Sequence, residues 1–305
     1  MDKREFKKNF TGVGDVEFKI AATRAELLGA FALIYREYLL RGYILPQHYR
    51  AGLRITLFNL HPETIVFIAM RDGAIVATCS LIPDSILGLP MDMAYKLEGD
   101  SLREQKRKLC EGAYLSIDNE LFGSKMFSLF NVAKLDFLLS LFKMVFQYAV
   151  RYSEYDDLCI VTDPKYAIFQ FLPFDTFGGV KCYGYDRVWL KRKAAVLKRF
   201  DIRQVRMSLN GSGFAFAKRM ALDRLLVKDE LPPEVFKRSE RLSHEDLRFF
   251  FFEKSDLLGS VQGEARKMIW AWYGLGEKDL EAWPEAPAGD PPLPTDRRRG
   301  GRRDG

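Results

Sequence analysis

Between residues 108 and 161 the chain runs strand, long apolar helix, strand, and this order constrains the fold more than any other feature. Lys108–Asp118 carries the alternation of a strand interrupted by one carboxylate, Glu111. A loop with one glycine, Gly123, leads to a helical pattern from about Met126 to Tyr152, and Asp157–Val161 is a second apolar strand. Strand, helix and strand in that order imply a parallel pair joined by a right-handed crossover. Glu111 is then either a solvent-facing residue at a sheet edge or an interior carboxylate. The interior alternative is costly without a partner or a task.

The long helix bears a narrow polar stripe, Asp136, Ser140, Lys143, Gln147 and Arg151, and is otherwise large and apolar, so it is expected to be buried on most sides. Its central run is the one candidate for a membrane span. Charges near the middle of a span cost ~2.5–3.5 kcal/mol each, so Lys134, Asp136 and Lys143 argue for a soluble helix. Met1–Phe10 is crowded with charge and has no apolar signal core, and a cytoplasmic protein is expected.

Upstream, Glu17–Ala21 reads as a short strand. Thr23-Arg24-Ala25-Glu26 is a capping box opening a helix whose buried stripe is Leu27, Phe31, Ile34 and Tyr38. Arg36, Arg41 and Tyr43 lie on its other side and at its exit. Ile65–Met70 and Ala74–Ile82 are β-branched runs joined through Asp72-Gly73, a hairpin signature. In the second of them Thr78 and Ser80 put small hydroxylated residues on one face, leaving room beside the backbone. Thr162-Asp163-Pro164 precedes a short aromatic helix, Tyr166–Phe171. Gly178–Gly184 and Arg187–Lys191 read as two closing strands. The expected architecture is an α/β sandwich with a mixed sheet and few helices.

From about Ala195 the pattern turns helical, with candidate helices at 214–227, 233–238, 245–251 and 261–273. The expected organisation is a polar leader (1–15), an α/β domain (16–200), a helical extension (201–284) and a Pro-, Gly- and Arg-rich tail (285–305) that buries too little apolar surface to fold. The 305 residues are 48% hydrophobic and 29% charged, enough for a sizeable core. The net charge of +6 suits an acidic partner. It has no aromatic–basic motif behind it, so nucleic acid is not expected. The four cysteines have no C-x-x-C spacing and the three histidines no ligand pattern, so no metal site is expected.

The element order, together with Ala77-Thr78-Cys79-Ser80-Leu81-Ile82-Pro83-Asp84-Ser85, the Gly88-Leu89-Pro90-Met91-Asp92 turn, Glu111 and Thr162-Asp163-Pro164-Lys165-Tyr166, resembles the N-acyl amino acid synthases of the FeeM type. These belong to the GCN5-related N-acetyltransferase (GNAT) superfamily and are related to the acyl-homoserine-lactone synthases. The resemblance spans roughly residues 16–200. It implies a GNAT-like sandwich in which two parallel strands splay and an acyl-pantetheine arm lies in the gap. The implied reaction is acyl transfer from acyl carrier protein to the amino group of an amino acid.

Under that resemblance Glu111 is the general base, and a backbone donor near Tyr114 or Ser116 meets the oxyanion. Arg36, Arg41, Tyr43 and Ser80 are candidates for holding the amino acid. Phe130, Phe137 and Leu138 of the long helix are candidates for the acyl pocket. The loop Asp118–Lys125 has one glycine and two early acids, which disfavour the diphosphate of coenzyme A and favour a carrier-protein donor with no further cofactor. Relatives commonly carry arginine where this chain has Tyr114, and histidine where it has Lys165. Two alternatives accompany this reading. One is an acyl-homoserine-lactone-type synthase. The other is a non-catalytic scaffold that binds acyl carrier protein, through Arg103, Lys106 and Arg107, or a peripheral membrane face.

Overall fold

The computed structural model describes residues 5–276, apart from 50, 123–131, 167–168, 170–171, 185–192, 209–219, 221, 229 and 238–241. A mixed sheet runs through it in the order β1-β2-β3-β4-β5-β6-β9-β7, with β8 also pairing β9. The strands are β1 (Phe6–Phe10), β2 (Gly14–Ile20), β3 (Ile65–Arg71), β4 (Ala74–Pro83), β5 (Leu109–Ile117), β6 (Asp157–Thr162), β7 (Asp175–Thr176), β8 (Lys181–Tyr183) and β9 (Lys193–Asp201). Among the described pairings only β5 with β6 is parallel. The helices α1 (Arg24–Leu40), α2 (Asp92–Glu104) and α3 (Val132–Gln147) surround the sheet.

Local chemistry sets these elements where the sequence marks them. The Thr23 side chain accepts from the Glu26 N–H, and the Glu26 carboxylate accepts in turn from the Thr23 N–H, closing the capping box of α1. Asp72 and Gly73 take positive φ, 51° and 78°, and turn β3 into β4. β3 is buried along most of its length, as a strand covered on both faces must be.

Two apolar layers cover the sheet. On one face Phe137, Leu141, Val145 and Phe146 of α3 pack against Phe18, Phe67 and Cys79. On the other, Phe31, Ile34 and Tyr38 of α1 pack with Tyr114, Phe250, Phe251 and Tyr273. Chain beyond β9 therefore enters both layers. Gln147 of α3 donates to the Leu225 carbonyl at 3.2 Å and accepts from the Leu231 N–H at 3.0 Å, while Arg151 donates to the Leu226 carbonyl. The C-terminal part of the polar stripe thus meets Leu225, Leu226 and Leu231, while Asp136 pairs with Lys8 of β1. Across the sheet, Tyr273 Oη donates to the Leu60 carbonyl and Arg24 pairs with Asp246.

Several elements depart from the sequence expectations. The stretch read as a polar leader contributes β1, an edge strand paired with β2. Its alternation is short and lysine-rich, which hides it. α2 occupies a segment for which the sequence pattern gave no element. Its buried residues are few (Tyr95, Gly99 and Leu102), so its apolar stripe is thin. β9 extends to Asp201, past the point where a helical pattern seemed to begin, because six pairings to β6 override the weak strand preference of its alanines and lysines. The strand expected at 187–191 lies outside the described residues. Among the described residues, no helix is long and apolar enough to cross a membrane.

Candidate active site

β5 and β6 pair for only three positions, Leu109 with Asp157, Cys110 with Leu158, and Glu111 with Cys159. β5 continues for six residues beyond Glu111 and, over these, its ladder is with β4 alone. The two strands part at Glu111. A cavity of about 140 Å³ occupies the gap, walled by Gly112, Ala113, Tyr114 and Leu115 on one side and Leu158, Ile160 and Thr162 on the other.

The β4–β5 ladder changes register in the same place. Thr78 pairs with Ser116 but Ser80 pairs with Ala113, so Tyr114 and Leu115 oppose one residue, Cys79. Tyr114 takes the left-handed conformation that this bulge requires, with φ of 57°. Ala113 and Tyr114 both pack on the α1 face as a result. Tyr114 and Leu115 fall between the paired positions of the ladder, beside the cavity.

Glu111 is 2% exposed, which excludes the sheet-edge alternative. Its Oε2 accepts from the Met91 N–H at 2.7 Å. Burial drives its carboxyl well above the ordinary glutamate range, the Met91 N–H opposes that, and the negative charge of Asp92 adds to it. A carboxylate so placed, on the cavity wall, is a stronger base than an ordinary glutamate and is suited to taking a proton.

The cavity has two regions. Leu138, Phe142, Val145 and Phe146 project from one face of α3 and, with Phe169 and Phe174, make an apolar arm. Gly112 borders that arm just past the last paired position of β5 and β6. A Cβ added there would meet Ile160 Cγ2 at 3.1 Å. The other region is aromatic and cationic, formed by Tyr38, Arg41, Tyr43, Tyr166 and Lys193. The Lys193 ammonium lies 4.3 Å from the centre of the Tyr43 ring, and the Tyr43 and Tyr166 hydroxyls are 3.4 Å apart.

The structure gathers some of the expected site residues and separates others. Glu111, Tyr114, Arg41, Tyr43 and Leu138 all line the cavity. Arg41 is partly neutralised there by buried Glu37, at 3.0 Å. Arg36 is not on the wall. It pairs with Asp118 at 2.7 Å on the outer side of α1. Ser80 and Ser116 are buried under α1 and also off the wall, with hydroxyls that make no hydrogen bond among the described residues. Phe137 faces away from the gap, its ring 5.4 Å from those of Phe10 and Phe18. It belongs to the core, because on α3 it sits one residue off the stripe made by Leu138, Phe142 and Val145. Phe130 lies outside the described residues.

The proposed carrier-protein contacts fare similarly. Arg103 is committed to Asp84, Asp92 and Asp100, and Arg107 to Asp157 and Asp201. Two features escaped the sequence. Lys193 reaches the cavity only through pairing of β9, and Arg54, 3% exposed, has its guanidinium 4.8 Å from the Tyr38 ring centre and 4.3 Å from that of Tyr114. Nothing in a loop arginine's local sequence foretells such burial.

The model of the family N-acyl amino acid synthase FeeM matches residues 29–188, just over half of the chain. The solved structure of FeeM, an N-acyl amino acid synthase from uncultured soil microbes, superposes with a TM-score of 0.51 at 26% identity, covering 62% of this chain and 91% of that one. The acyl-homoserine-lactone synthase LasI is similar at a TM-score of 0.42 and 15% identity, covering 66% of this chain and 96% of its own. An N-acetyltransferase from Staphylococcus aureus Mu50 gives 0.37 and 14%, covering 62% and 98%. No curated protein sequence matches the chain. The fold is that of the N-acyl amino acid synthase FeeM, a mixed sheet with one parallel pair among the described strands and helices against its faces.

Proposed function

The chain belongs to the FeeM family of N-acyl amino acid synthases and is an acyltransferase, and from that premise we propose that it moves a long-chain acyl group from acyl carrier protein to the amino group of an amino acid. The observation that carries the proposal is Glu111, buried at the point where β5 and β6 part, between an apolar arm and a cationic mouth. The acyl chain lies along Leu138, Phe142 and Phe146. Its thioester carbonyl then stands at the strand gap beside Glu111.

The amino acid enters from the mouth, its carboxylate toward Arg41 and Lys193. The Glu111 carboxylate takes a proton from the ammonium, directly or through a water. The free amine attacks the thioester carbonyl, and the bulged backbone at Ala113–Leu115 supplies the N–H donor for the oxyanion. The attack forms the C–N bond, and collapse of the tetrahedral intermediate restores the C=O bond and breaks the C–S bond. The pantetheine thiolate leaves and takes up the excess proton of the attacking nitrogen. The acidic loop after β5 favours the phosphodiester of a carrier protein over the diphosphate of coenzyme A.

The test is incubation with long-chain acyl carrier protein or acyl-coenzyme A and a mixture of amino acids, followed by mass spectrometry of the lipids. Wild type is expected to make N-acyl amino acids from the carrier-protein donor, and Glu111→Gln to make none. Product that requires S-adenosylmethionine would identify a lactone synthase instead. Absence of any product above the Glu111→Gln control would end the enzymatic proposal for these donors.

A further inference from the structure

Glu111 does not set its own position: its hydrogen-bond partner, Met91, stands on a loop that another side chain closes. The segment from Asp84 to Asp92 leaves the end of β4 and returns to the start of α2. Asp84 is tied back to β5 by its N–H on the Leu109 carbonyl at 3.0 Å. Asp92 Oδ2 accepts from the Leu89 N–H at 2.8 Å, and Tyr183 Oη donates to the Pro90 carbonyl at 3.2 Å.

Arg103 joins the two ends. Its Nε and Nη2 reach the two oxygens of Asp84 at 2.7 and 2.8 Å, and its Nη2 and Nη1 reach those of Asp92 at 2.7 and 3.1 Å. Nη1 also meets Asp100 at 2.8 Å. A planar fork satisfying two carboxylates fixes their relative orientation as a point charge does not. Room for the clamp comes from Gly99, where an added Cβ would stand 2.9 Å from Asp92 Oδ1 and 3.1 Å from Arg103 Nη1.

We infer that Arg103 is the positioning residue of the site: by clamping Asp84 to Asp92 it holds the Met91 N–H on Glu111 and neutralises the Asp92 carboxylate beside that N–H. The inference rests on Glu111 as the base. Both effects act in one direction. Without the clamp the Met91 N–H is less well aimed, and Asp92 bears an unbalanced charge beside Glu111. Each disfavours the ionised carboxylate, so each raises its pKa.

The other groups facing Glu111 are arranged to leave this effect visible. Cys159 adjoins it on β6 and is itself pushed upward by burial, so it stays a neutral thiol. Tyr183 is engaged with Pro90. Cys110 precedes Glu111 on β5 and is likewise pushed upward by burial, while Arg41, Lys193 and Asp163 line the same cavity.

The test is a 13C NMR titration of the glutamate carboxyls in the full-length protein, with Glu111→Gln assigning the resonance, beside a pH–rate profile of acyl transfer. Arg103→Gln and Arg103→Lys are expected to raise the Glu111 pKa, Gln by on the order of one unit and Lys by less, and to move the acid limb of kcat equally. Asp100→Asn, which alters an Arg103 partner that lies outside the loop and leaves Asp84 and Asp92 clamped, is expected to leave both unmoved. If Arg103→Gln does not fold, Arg103→Lys decides. A Glu111 titration identical to wild type in the folded Arg103 variants would overturn the inference. Full activity in Glu111→Gln would instead overturn Glu111 as the base, and the NMR titration would still report on the clamp.

Discussion

The Arg54 guanidinium lies 4.3 Å from the centre of the Tyr114 ring and 4.8 Å from that of Tyr38, sealed from solvent between two residues of the cavity wall. Arginine is the residue that the resemblance leads one to expect at position 114. Here tyrosine occupies the bulge and a guanidinium arrives behind it from another part of the chain. The cation is retained beside β5, displaced by one layer.

Arg54→Met is expected to destabilise the fold and to lower turnover, because Tyr114 holds a left-handed bulge against its ring contact. A desolvated cation–π pair contributes up to ~2 kcal/mol, so the midpoint of urea unfolding should fall by the equivalent of about 2–3 kcal/mol. A variant with unchanged unfolding and unchanged kcat would show that neither ring depends on Arg54.

Glu111→Gln should abolish acyl transfer and yet stabilise the protein at neutral pH. The folded pKa of Glu111 lies above its unfolded value, so the native state binds the proton more tightly than the unfolded chain does. Its ionisation therefore subtracts stability as pH rises from about 4.3, the unfolded value, to the folded pKa. Below the unfolded value the subtraction is absent. Thermal unfolding of the two proteins should coincide near pH 4 and diverge in favour of the Glu111→Gln variant as pH increases. The amide keeps an oxygen for the Met91 N–H, so no hydrogen bond is lost in the exchange.

The same shift fixes the acid side of the rate profile. The base acts as its carboxylate, so kcat/KM should rise with pH through a pKa well above the ordinary glutamate range. A profile already flat from pH 5 upward would mean that the rate-determining proton transfer uses another group.

Acyl-chain length should respond to one face of α3 and not to its neighbour. Leu138→Trp fills the apolar arm and should shift the product spectrum toward shorter chains. Phe137→Ala removes a ring packed against Phe10 and Phe18. It should cost about 3–5 kcal/mol of stability and leave the spectrum of the folded fraction unaltered. The two profiles can be compared by lipid mass spectrometry.

How far the sequence foretold this site varies with the distance over which each feature is determined. The capping box of α1 and the Asp72-Gly73 turn are local, and both stand where the pattern puts them. The strand–helix–strand order was enough to expect the parallel β5–β6 pair, and Glu111 and Tyr114 of β5 line the cavity beside it. Which side of α3 meets the gap was harder, since Phe137 and Leu138 differ by one position on a helix apolar on most sides. Arg36 and Arg41 are five residues apart on the same helix, but only pairing with Asp118 or Glu37 decides which one turns inward. Lys193 and Arg54 depend on contacts across the whole fold, and no local pattern marks them.

The polar stripe of α3 has a further meaning for how the protein is partitioned. Gln147 and Arg151 give their donors to carbonyls at Leu225 and Leu226, beyond the last residue matched to the family. A chain cut after Asp201 would strip a fully buried amide of both its partners, and on the opposite face it would bare the side of α1 that Phe250 covers. The segment matched to FeeM is therefore not a minimal folding unit in this protein. What looks like an appendage in the linear map is the outer half of two interiors, and any comparison of activities with shorter relatives must be made on the whole chain.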